Sequence, residues 1–125
     1  MAARGRSIEV SCHCGAASLE VPRRPQRLTS CNCSICRRYG ALWAYYRRSA
    51  VRIRYRRRDV EDYAWGDRRL RFVRCRTCGC VLLWEARRPE PDGRMGINMR
   101  CAEPAAIAGV RVRRLDGAKT WKFLD

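Results

Sequence analysis

The sequence predicts a mainly β domain that is built from short strands and stabilised by bound metal. Two observations carry this prediction. Short segments in which apolar and polar residues alternate recur along the chain, separated by turns that contain glycine or proline. Cysteines fall in three tight clusters next to such segments. A length of 125 residues with 46% hydrophobic residues fits one globular domain, residues 1–125.

The N-terminal half contains the first predicted hairpin. Alternation predicts strands over 7–11 and 17–21, and Cys12-His13-Cys14-Gly15 forms the tight turn between them. A short helical turn is expected over 34–39, ended by glycine. Buried strands are expected over 41–46 and 51–55.

The C-terminal half contains a second hairpin of the same kind. Strands are predicted over 69–74 and 81–85, with the third cysteine cluster at the tip between them, and a short strand over 62–65 precedes them. Alternating Met95, Ile97 and Met99 predict a further strand. One helical turn within 101–108 can begin at Pro104. Strands over 110–115 and 121–124 are expected to close the chain.

The net charge of +16 comes almost entirely from arginine. One interpretation is an anionic partner, such as nucleic acid or an acidic metabolite. The other is an arginine-rich solvated surface, which the scattered positions of the arginines favour. The longest strongly apolar run, Val81 to Trp84, is far too short to span a membrane, and no signal peptide is recognised. A reducing cytoplasmic location is therefore expected, where thiols stay free to bind metal.

Nine cysteines in C-x-C, C-x-C-x-x-C and C-x-x-C groups favour metal binding over a disulfide framework. Zinc prefers four tetrahedral ligands and is well suited by thiolates. Cys75-x-x-Cys78-Gly79 is a strong zinc-knuckle pattern, because the glycine allows the backbone to turn after the second thiol. Cys12 and Cys14 can complete four thiolates from two hairpin tips.

Cys31, Cys33 and Cys36 then remain as three ligands from one segment. Three protein ligands leave a fourth position open for water or substrate, as in catalytic zinc sites. Spacing alone leaves two alternatives open. Cys33 and Cys36 could instead join Cys75 and Cys78 in a zinc ribbon, or one structural zinc could be accompanied by incidental thiols.

Other candidate residues are expected to be structural. Cys80 and Cys101 follow strand alternation and are interpreted as small core residues. His13, the single histidine, lies between two predicted ligands and is expected to point away from their metal. The aromatic group Trp43, Tyr45 and Tyr46 is interpreted as core rather than as a substrate platform.

The order of the motifs resembles a known family. Cys12-His-Cys14-Gly, Cys31-Asn-Cys33-Ser-Ile-Cys36-Arg-Arg, Cys75-x-x-Cys78-Gly and the segment 96–101 together resemble the glutathione-dependent formaldehyde-activating enzymes, whose domain centromere protein V shares. The resemblance implies a fold of several coiled antiparallel β-sheets, called a β-tent. It also implies a structural zinc at Cys12, Cys14, Cys75 and Cys78, and a catalytic zinc at Cys31, Cys33 and Cys36.

The activity that this resemblance implies is the addition of glutathione to formaldehyde, giving S-hydroxymethylglutathione, which is formally a carbon–sulfur lyase reaction. Arg37 and Arg38, next to the ligands, could hold the glutathione carboxylates. The expected function is therefore a zinc-dependent lyase that acts on a thiol–aldehyde adduct. The alternative is a non-catalytic zinc module whose arginine surface binds nucleic acid or another polyanion.

Overall fold

A computed structural model of the protein describes residues 7–125. It is mainly β, with two sheets and few helices, as the sequence predicts. The strands are β1 (Ile8–Ser11), β2 (Ser18–Val21), β3 (Arg27–Cys31), β4 (Trp43–Arg47), β5 (Arg52–Ile53), β6 (Val60–Tyr63), β7 (Leu70–Cys75), β8 (Val81–Ala86), β9 (Arg94–Asn98) and β10 (Arg111–Leu115). The helices are α1 (Cys36–Tyr39) and α2 (Pro104–Ile107), with single 3-10 turns at Arg48–Ala50, Arg57–Asp59 and Met99–Cys101.

The larger sheet has seven strands in the order β10-β3-β4-β9-β8-β7-β6. Its central strand β9 is buried along Met95–Asn98, because both faces are covered. β7 and β8 form the predicted second hairpin, and a register shift between Val73 and Arg74 interrupts their pairing. The expectation of purely antiparallel sheets is wrong at one edge, where β10 pairs with β3 in parallel. The two strands are separated by most of the chain, so no tight turn forces them to run in opposite directions.

The smaller sheet has three strands in the order β1-β2-β5. β1 and β2 form the predicted first hairpin, with Val10 opposite Leu19. Val10, Leu19 and Val21 are fully buried. They belong to one core cluster with buried residues of the larger sheet, among them Leu28, Leu82, Leu83, Met95 and Ile97. The two sheets are therefore joined by a common apolar core.

Three predicted strands differ from the observed ones. The strand predicted over 51–55 is reduced to β5, which pairs with β2 through two residues. The strand predicted over 62–65 begins earlier, as β6, because Val60 pairs opposite Cys75. Residues 121–124 form no strand. Trp121 has a φ of 61° and donates its backbone N–H to the carbonyl of Asp116, so the chain turns there, and only Phe123 bridges to Leu115.

Within the described part of the chain, no helix is long and apolar enough to cross a membrane.

Candidate metal centres

The first candidate centre is a cluster of four thiols at the tips of the two hairpins. Cys12 and Cys14 lie in the turn after β1, Cys75 ends β7, and Cys78 lies in the turn before β8. Their sulfur atoms all lie within 4.8 Å of one another. Cys14 and Cys75 are 61 residues apart in sequence, so this cluster brings the tips of two distant hairpins together.

The sulfur spacing fits a tetrahedral metal ion. The Cys12 and Cys14 sulfurs are 3.7 Å apart, and those of Cys14 and Cys75 are 3.6 Å apart. Four thiolates at the usual Zn–S distance of about 2.3 Å would be about 3.8 Å from one another. A disulfide would instead need about 2.05 Å, and all nine cysteines are free. This group can therefore hold a metal ion.

Backbone donors surround the same sulfurs. The N–H of Cys78 donates to Cys75 Sγ at 3.4 Å, and the N–H of Ala17 donates to Cys12 Sγ at 3.4 Å. Gly79, with a φ of 82°, turns the chain directly after the second knuckle thiol. A hydrogen bond from the backbone of Cys80 lowers the pKa of Cys78 to about 5. Such donors favour the thiolate form that metals require.

The second candidate centre is a cluster of three thiols at the start of α1. Cys31 ends β3, Cys33 lies in the following turn and Cys36 is the first residue of α1. Their sulfurs also lie within 4.8 Å of one another. Gly40 ends this short helix, as predicted. Its φ of 65° is left-handed, which glycine adopts readily, and the chain turns there toward β4.

Two donors hold the sulfurs of this cluster. The N–H of Cys36 donates to Cys33 Sγ at 3.4 Å, and the buried indole of Trp43 donates from Nε1 to Cys36 Sγ at 3.4 Å. The hydrogen bond from the Cys36 thiol lowers the pKa of Cys31 to about 6. The same interaction raises the pKa of Cys36, because that thiol keeps the proton. Of these two thiols, Cys31 is therefore the one that ionises first.

The structure separates the two clusters. Cys75 and Cys78 gather with Cys12 and Cys14, and Cys33 and Cys36 gather with Cys31. The zinc-ribbon alternative, in which Cys33 and Cys36 would join Cys75 and Cys78, does not describe this arrangement.

A cavity of about 740 Å³ opens beside the three-thiol cluster and includes all three of its cysteines in the lining. The rest of the lining is mostly apolar and aromatic. It consists of Ile35, Trp43, Tyr45, Trp65, Gly66, Asp67, Arg69, Leu70, Phe72, Trp84, Arg94, Leu115, Trp121 and Phe123. The four-thiol cluster lines neither this cavity nor the second one described below. The three-thiol cluster thus adjoins space that a small molecule could enter, whereas the four-thiol cluster, with its exposed Cys14, lies outside both cavities.

The C-terminal loop, residues 116–123, covers one side of this cavity. Gly117 packs so closely on the three-thiol cluster that a Cβ there would collide with Cys31 Sγ. Asn32 donates from Nδ2 to Asp116 Oδ1 at 3.0 Å and accepts from the N–H of Ala118 at 2.9 Å. These contacts fix the loop against the cluster, and they lower the pKa of Asp116, with the Asn32 bond as the largest cause.

Other residues singled out in the sequence lie elsewhere. Cys80 and Cys101 are in neither thiol cluster and pack against the main core, as expected. His13 is exposed and belongs to neither group of possible metal ligands. Arg37 and Arg38 are exposed and outside the cavity lining, and Arg38 donates to the carbonyl of Ser34 at 2.8 Å. The arginines of the lining are Arg69 and Arg94 instead.

The aromatic group predicted as core is divided between two roles. Tyr46 is buried, and its hydroxyl donates to the carbonyl of Arg23 at 2.8 Å. Trp43 is also buried, as predicted, and it lines the cavity together with the half-buried Tyr45. Trp65 and Trp121 also line it, although nothing in the pattern marks them. No signal in the sequence indicates this role, because both residues fall in segments that alternation predicts as strands, 62–65 and 121–124.

A second cavity, of about 820 Å³, is lined by charged residues. Six arginines contribute to it against three carboxylates: Arg48, Arg57, Arg58, Arg71, Arg74, Arg76, Glu61, Asp62 and Glu85. Glu85 is only 2% exposed and is paired with Arg48 at 2.9 Å and with Arg71. Arg74 and Arg76 both pair with Glu61. Much of this charge is therefore neutralised within the fold.

The fold and these two thiol clusters define a class of small β proteins with two cysteine sites that can bind metal. Within that class, residues 7–107 match the family described as glutathione-dependent formaldehyde-activating enzyme, and the chain belongs to this family. The chain is also similar to the crystal structure of a Rhodobacter sphaeroides protein, a structural genomics target. That similarity has a TM-score of 0.68 and 29% sequence identity, and it covers 84% of this chain and 99% of that chain. No curated protein sequence matches this chain significantly.

Proposed function

We propose that the protein is a zinc-dependent carbon–sulfur lyase that acts on the adduct of a small thiol and an aldehyde. One observation carries the proposal: all three sulfur ligands of the three-thiol cluster line a cavity, whereas the four-thiol cluster lies outside both cavities described above. Three thiolates leave a zinc ion with one position for a ligand, which four thiolates do not. Family membership supports the same reaction class, with glutathione and formaldehyde as the reference reactants.

The proposed metal sites have different roles. Cys12, Cys14, Cys75 and Cys78 would hold a structural zinc that joins the two hairpins, and their sulfur spacing fits this ion. Cys31, Cys33 and Cys36 would hold a catalytic zinc. A reducing compartment such as the cytoplasm would keep these thiols available.

The reaction is the reversible cleavage of an S-hydroxyalkyl thioether into a thiol and an aldehyde. The carbon–sulfur bond breaks, the hydroxyl oxygen becomes the carbonyl oxygen, and the hydroxyl proton is formally transferred to sulfur. Bound zinc would supply Lewis acidity and would favour the thiolate form of the leaving thiol. The residues of this chain hold the three sulfurs, orient Cys36 through the indole of Trp43, and exclude water with the aromatic lining.

Exchange measurements can test this proposal, because thiols and formaldehyde also combine without a catalyst. We expect NMR exchange spectroscopy of glutathione with ¹³C-formaldehyde to show faster interconversion with the zinc-loaded protein. Cys36→Ser should abolish the acceleration. Cys101→Ala is the matched control, because this cysteine lies outside both thiol clusters. Equal acceleration by both variants, or no acceleration by the wild type with glutathione, 2-mercaptoethanol or phenylmethanethiol as the thiol, would contradict the proposal.

A second candidate function is the binding of a polyanion such as nucleic acid. The six arginines of the second cavity favour it, because they outnumber the carboxylates there. The charge-reversed double variant Arg57→Glu/Arg58→Glu should then weaken binding to one nucleic acid sequence far more than to bulk DNA. A uniform loss over all sequences would indicate only the general attraction of a chain with a net charge of +16.

A further inference from the structure

The mouth of the cavity beside the three-thiol cluster is unusually apolar. Seven large hydrophobic residues are exposed within residues 7–125, and four of them line this one cavity: Trp65, Leu70, Trp121 and Phe123. Exposed apolar side chains that are scattered singly need no explanation, but a group around a concave site marks a binding surface. The Phe123 ring also lies under the Arg113 guanidinium, 3.9 Å from the ring centroid. The apolar surface left free at the mouth therefore comes mainly from Trp65, Leu70 and Trp121.

The inner wall of the cavity is also aromatic. Trp43 and Phe72 pack with their ring centroids 6.2 Å apart, and Tyr45 and Trp84 pack at 6.0 Å. All four residues line the cavity. A ligand that occupies this cavity beside the three-thiol cluster therefore contacts aromatic side chains. Aromatic side chains interact favourably with the aromatic ring of a ligand, through offset or edge-to-face stacking.

Charge in the lining is sparse. Arg69 and Arg94 are its two cations, and Asp67 is its one carboxylate. Arg69 is exposed and lies 3.7 Å from Asp67, so these two partly neutralise each other. The Arg94 guanidinium lies over the ring of Tyr45, 4.7 Å from its centroid. One anionic group of a ligand could be accommodated beside Arg94.

Glutathione fits this lining poorly. It carries two carboxylates, an ammonium group and two peptide groups, each of which loses water when it enters an apolar cavity. Burial of polar groups without hydrogen-bonding partners is unfavourable. Arg37 and Arg38, the expected partners for its carboxylates, lie outside the lining. The size of the cavity would admit many small thiols. The apolar and aromatic lining therefore determines which thiol binds most tightly.

We propose that this site takes adducts of a thiol that carries an aromatic ring and at most one carboxylate, in preference to adducts of glutathione. This proposal rests on the lyase function proposed above, whose substrate class it specifies. The aromatic ring of the thiol occupies the space between Trp65 and Trp121, and its sulfur reaches the open position at Cys31, Cys33 and Cys36. The C-terminal loop, which contributes Trp121 and Phe123, lies beyond the residues that match the family. Substrate preference in this chain is thus determined partly by a segment outside the residues that match the family.

The test uses thiol binding to the protein loaded with Co²⁺ in place of zinc. A thiol that becomes the fourth ligand of the cobalt ion changes the visible absorption bands of the metal. The probes are phenylmethanethiol, glutathione and 2-mercaptoethanol, which is a small thiol without an aromatic group. We expect phenylmethanethiol to bind at least about tenfold more tightly than glutathione, which corresponds to about 1.4 kcal/mol.

Variants of the mouth should reduce this preference. Trp121→Ala and Trp65→Ala are expected to weaken phenylmethanethiol binding several-fold while leaving 2-mercaptoethanol binding nearly unchanged. Tyr63→Ala is the matched control, since Tyr63 is as exposed as Trp65 but lies outside the lining. Trp121→Phe keeps an aromatic ring and should retain most of the preference.

The outcomes separate the two proposals. Tighter binding of phenylmethanethiol that depends on Trp65 and Trp121 supports the aromatic substrate class. Equal or tighter binding of glutathione overturns that class but leaves the lyase function standing. If no thiol changes the cobalt bands, the open coordination position is refuted, and both proposals fall together.

Discussion

The side chains of Asn32 and Asp116 connect the three-thiol cluster to the C-terminal loop, with Asn32 Nδ2 donating to Asp116 Oδ1 at 3.0 Å. Asn32 lies between two of the clustered cysteines, and Asp116 begins the loop that carries Trp121. Asp116 also accepts from the Thr120 hydroxyl at 3.0 Å. The position of the aromatic wall relative to the sulfurs therefore depends on a few polar contacts.

We expect Asn32→Ala to loosen the C-terminal loop without unfolding the domain. The substitution removes the acceptor for the Ala118 N–H as well as the bond to Asp116. Hydrogen exchange of the Ala118 amide should become at least about tenfold faster, since each lost bond favours local opening. Thr120→Ala is the control, because it removes one contact to Asp116 but leaves Asn32 in place. Unchanged protection at Ala118 would contradict this role.

Trp43→Phe should weaken metal binding at the three-thiol cluster alone. The substitution keeps an aromatic ring but removes the Nε1–H that donates to Cys36 Sγ. Loss of a partner that supports a ligand typically lowers metal affinity about 10- to 100-fold. Chelator competition should therefore release one metal ion earlier than in wild type, with the second release unchanged. Trp84→Phe, which alters a lining indole without a contact to sulfur, should release both ions as wild type does.

Gly96→Ala should partly fill the cavity. A Cβ at this buried position of β9 would collide with the indole of Trp84. The ring must then move, and overpacking of this kind costs about 1–3 kcal/mol of folding free energy. We expect a lower unfolding midpoint and weaker thiol binding to the cobalt-loaded protein. The double variant Gly96→Ala/Trp84→Leu should recover part of the stability, and an undiminished midpoint in the single variant would refute the clash.

Alkaline titration should separate the buried tyrosines from the exposed one. Burial raises the pKa of Tyr46 and of Tyr55 to about 12. Because the folded pKa lies above the unfolded value of 10.0, the stability from keeping these phenols neutral is complete below pH 10 and is lost as pH rises toward 12. Burial also raises the pKa of Tyr39 and of Tyr45. Absorbance of phenolate at 295 nm should therefore show several tyrosines titrating above pH 10, with Tyr46 and Tyr55 among the last, and Tyr46→Phe should remove one of these late steps. Titration of all five tyrosines near pH 10 would contradict this.

Local features of the fold could be predicted from the sequence because they depend on neighbouring residues. The two cysteine-tipped hairpins follow from strand alternation around Cys12–Gly15 and Cys75–Gly79, and the observed β1–β2 and β7–β8 pairs agree. The parallel pairing of β10 with β3 could not be predicted, since it joins distant segments and no turn specifies it. The turn at Trp121 could not be predicted either. Its left-handed backbone depends on contacts with Asp116, which alternation does not reveal.

The candidate site was predictable in its sulfurs but not in its walls. Spacing identifies the seven clustered thiols, yet it cannot decide which hairpin tips meet in space, and the family resemblance supplied that grouping. The structure gathers the same two groups. The lining residues Trp65, Leu70, Trp121 and Phe123 come from separate segments without a shared motif. Side chains that converge only after folding leave no local pattern. The sequence therefore suggested Arg37 and Arg38, the arginines nearest the ligands in sequence, as substrate-binding residues instead.

The most direct test of the two-centre account is the zinc content of the purified protein. The account predicts two zinc ions per wild-type chain and one in a folded Cys31→Ser/Cys33→Ser/Cys36→Ser variant, with Cys101→Ala retaining two. Glutathione or phenylmethanethiol should alter the ligation of only the zinc that the triple variant lacks. A single zinc in the wild type, or a triple variant that loses both ions and unfolds, would contradict the assignment of one closed and one open centre.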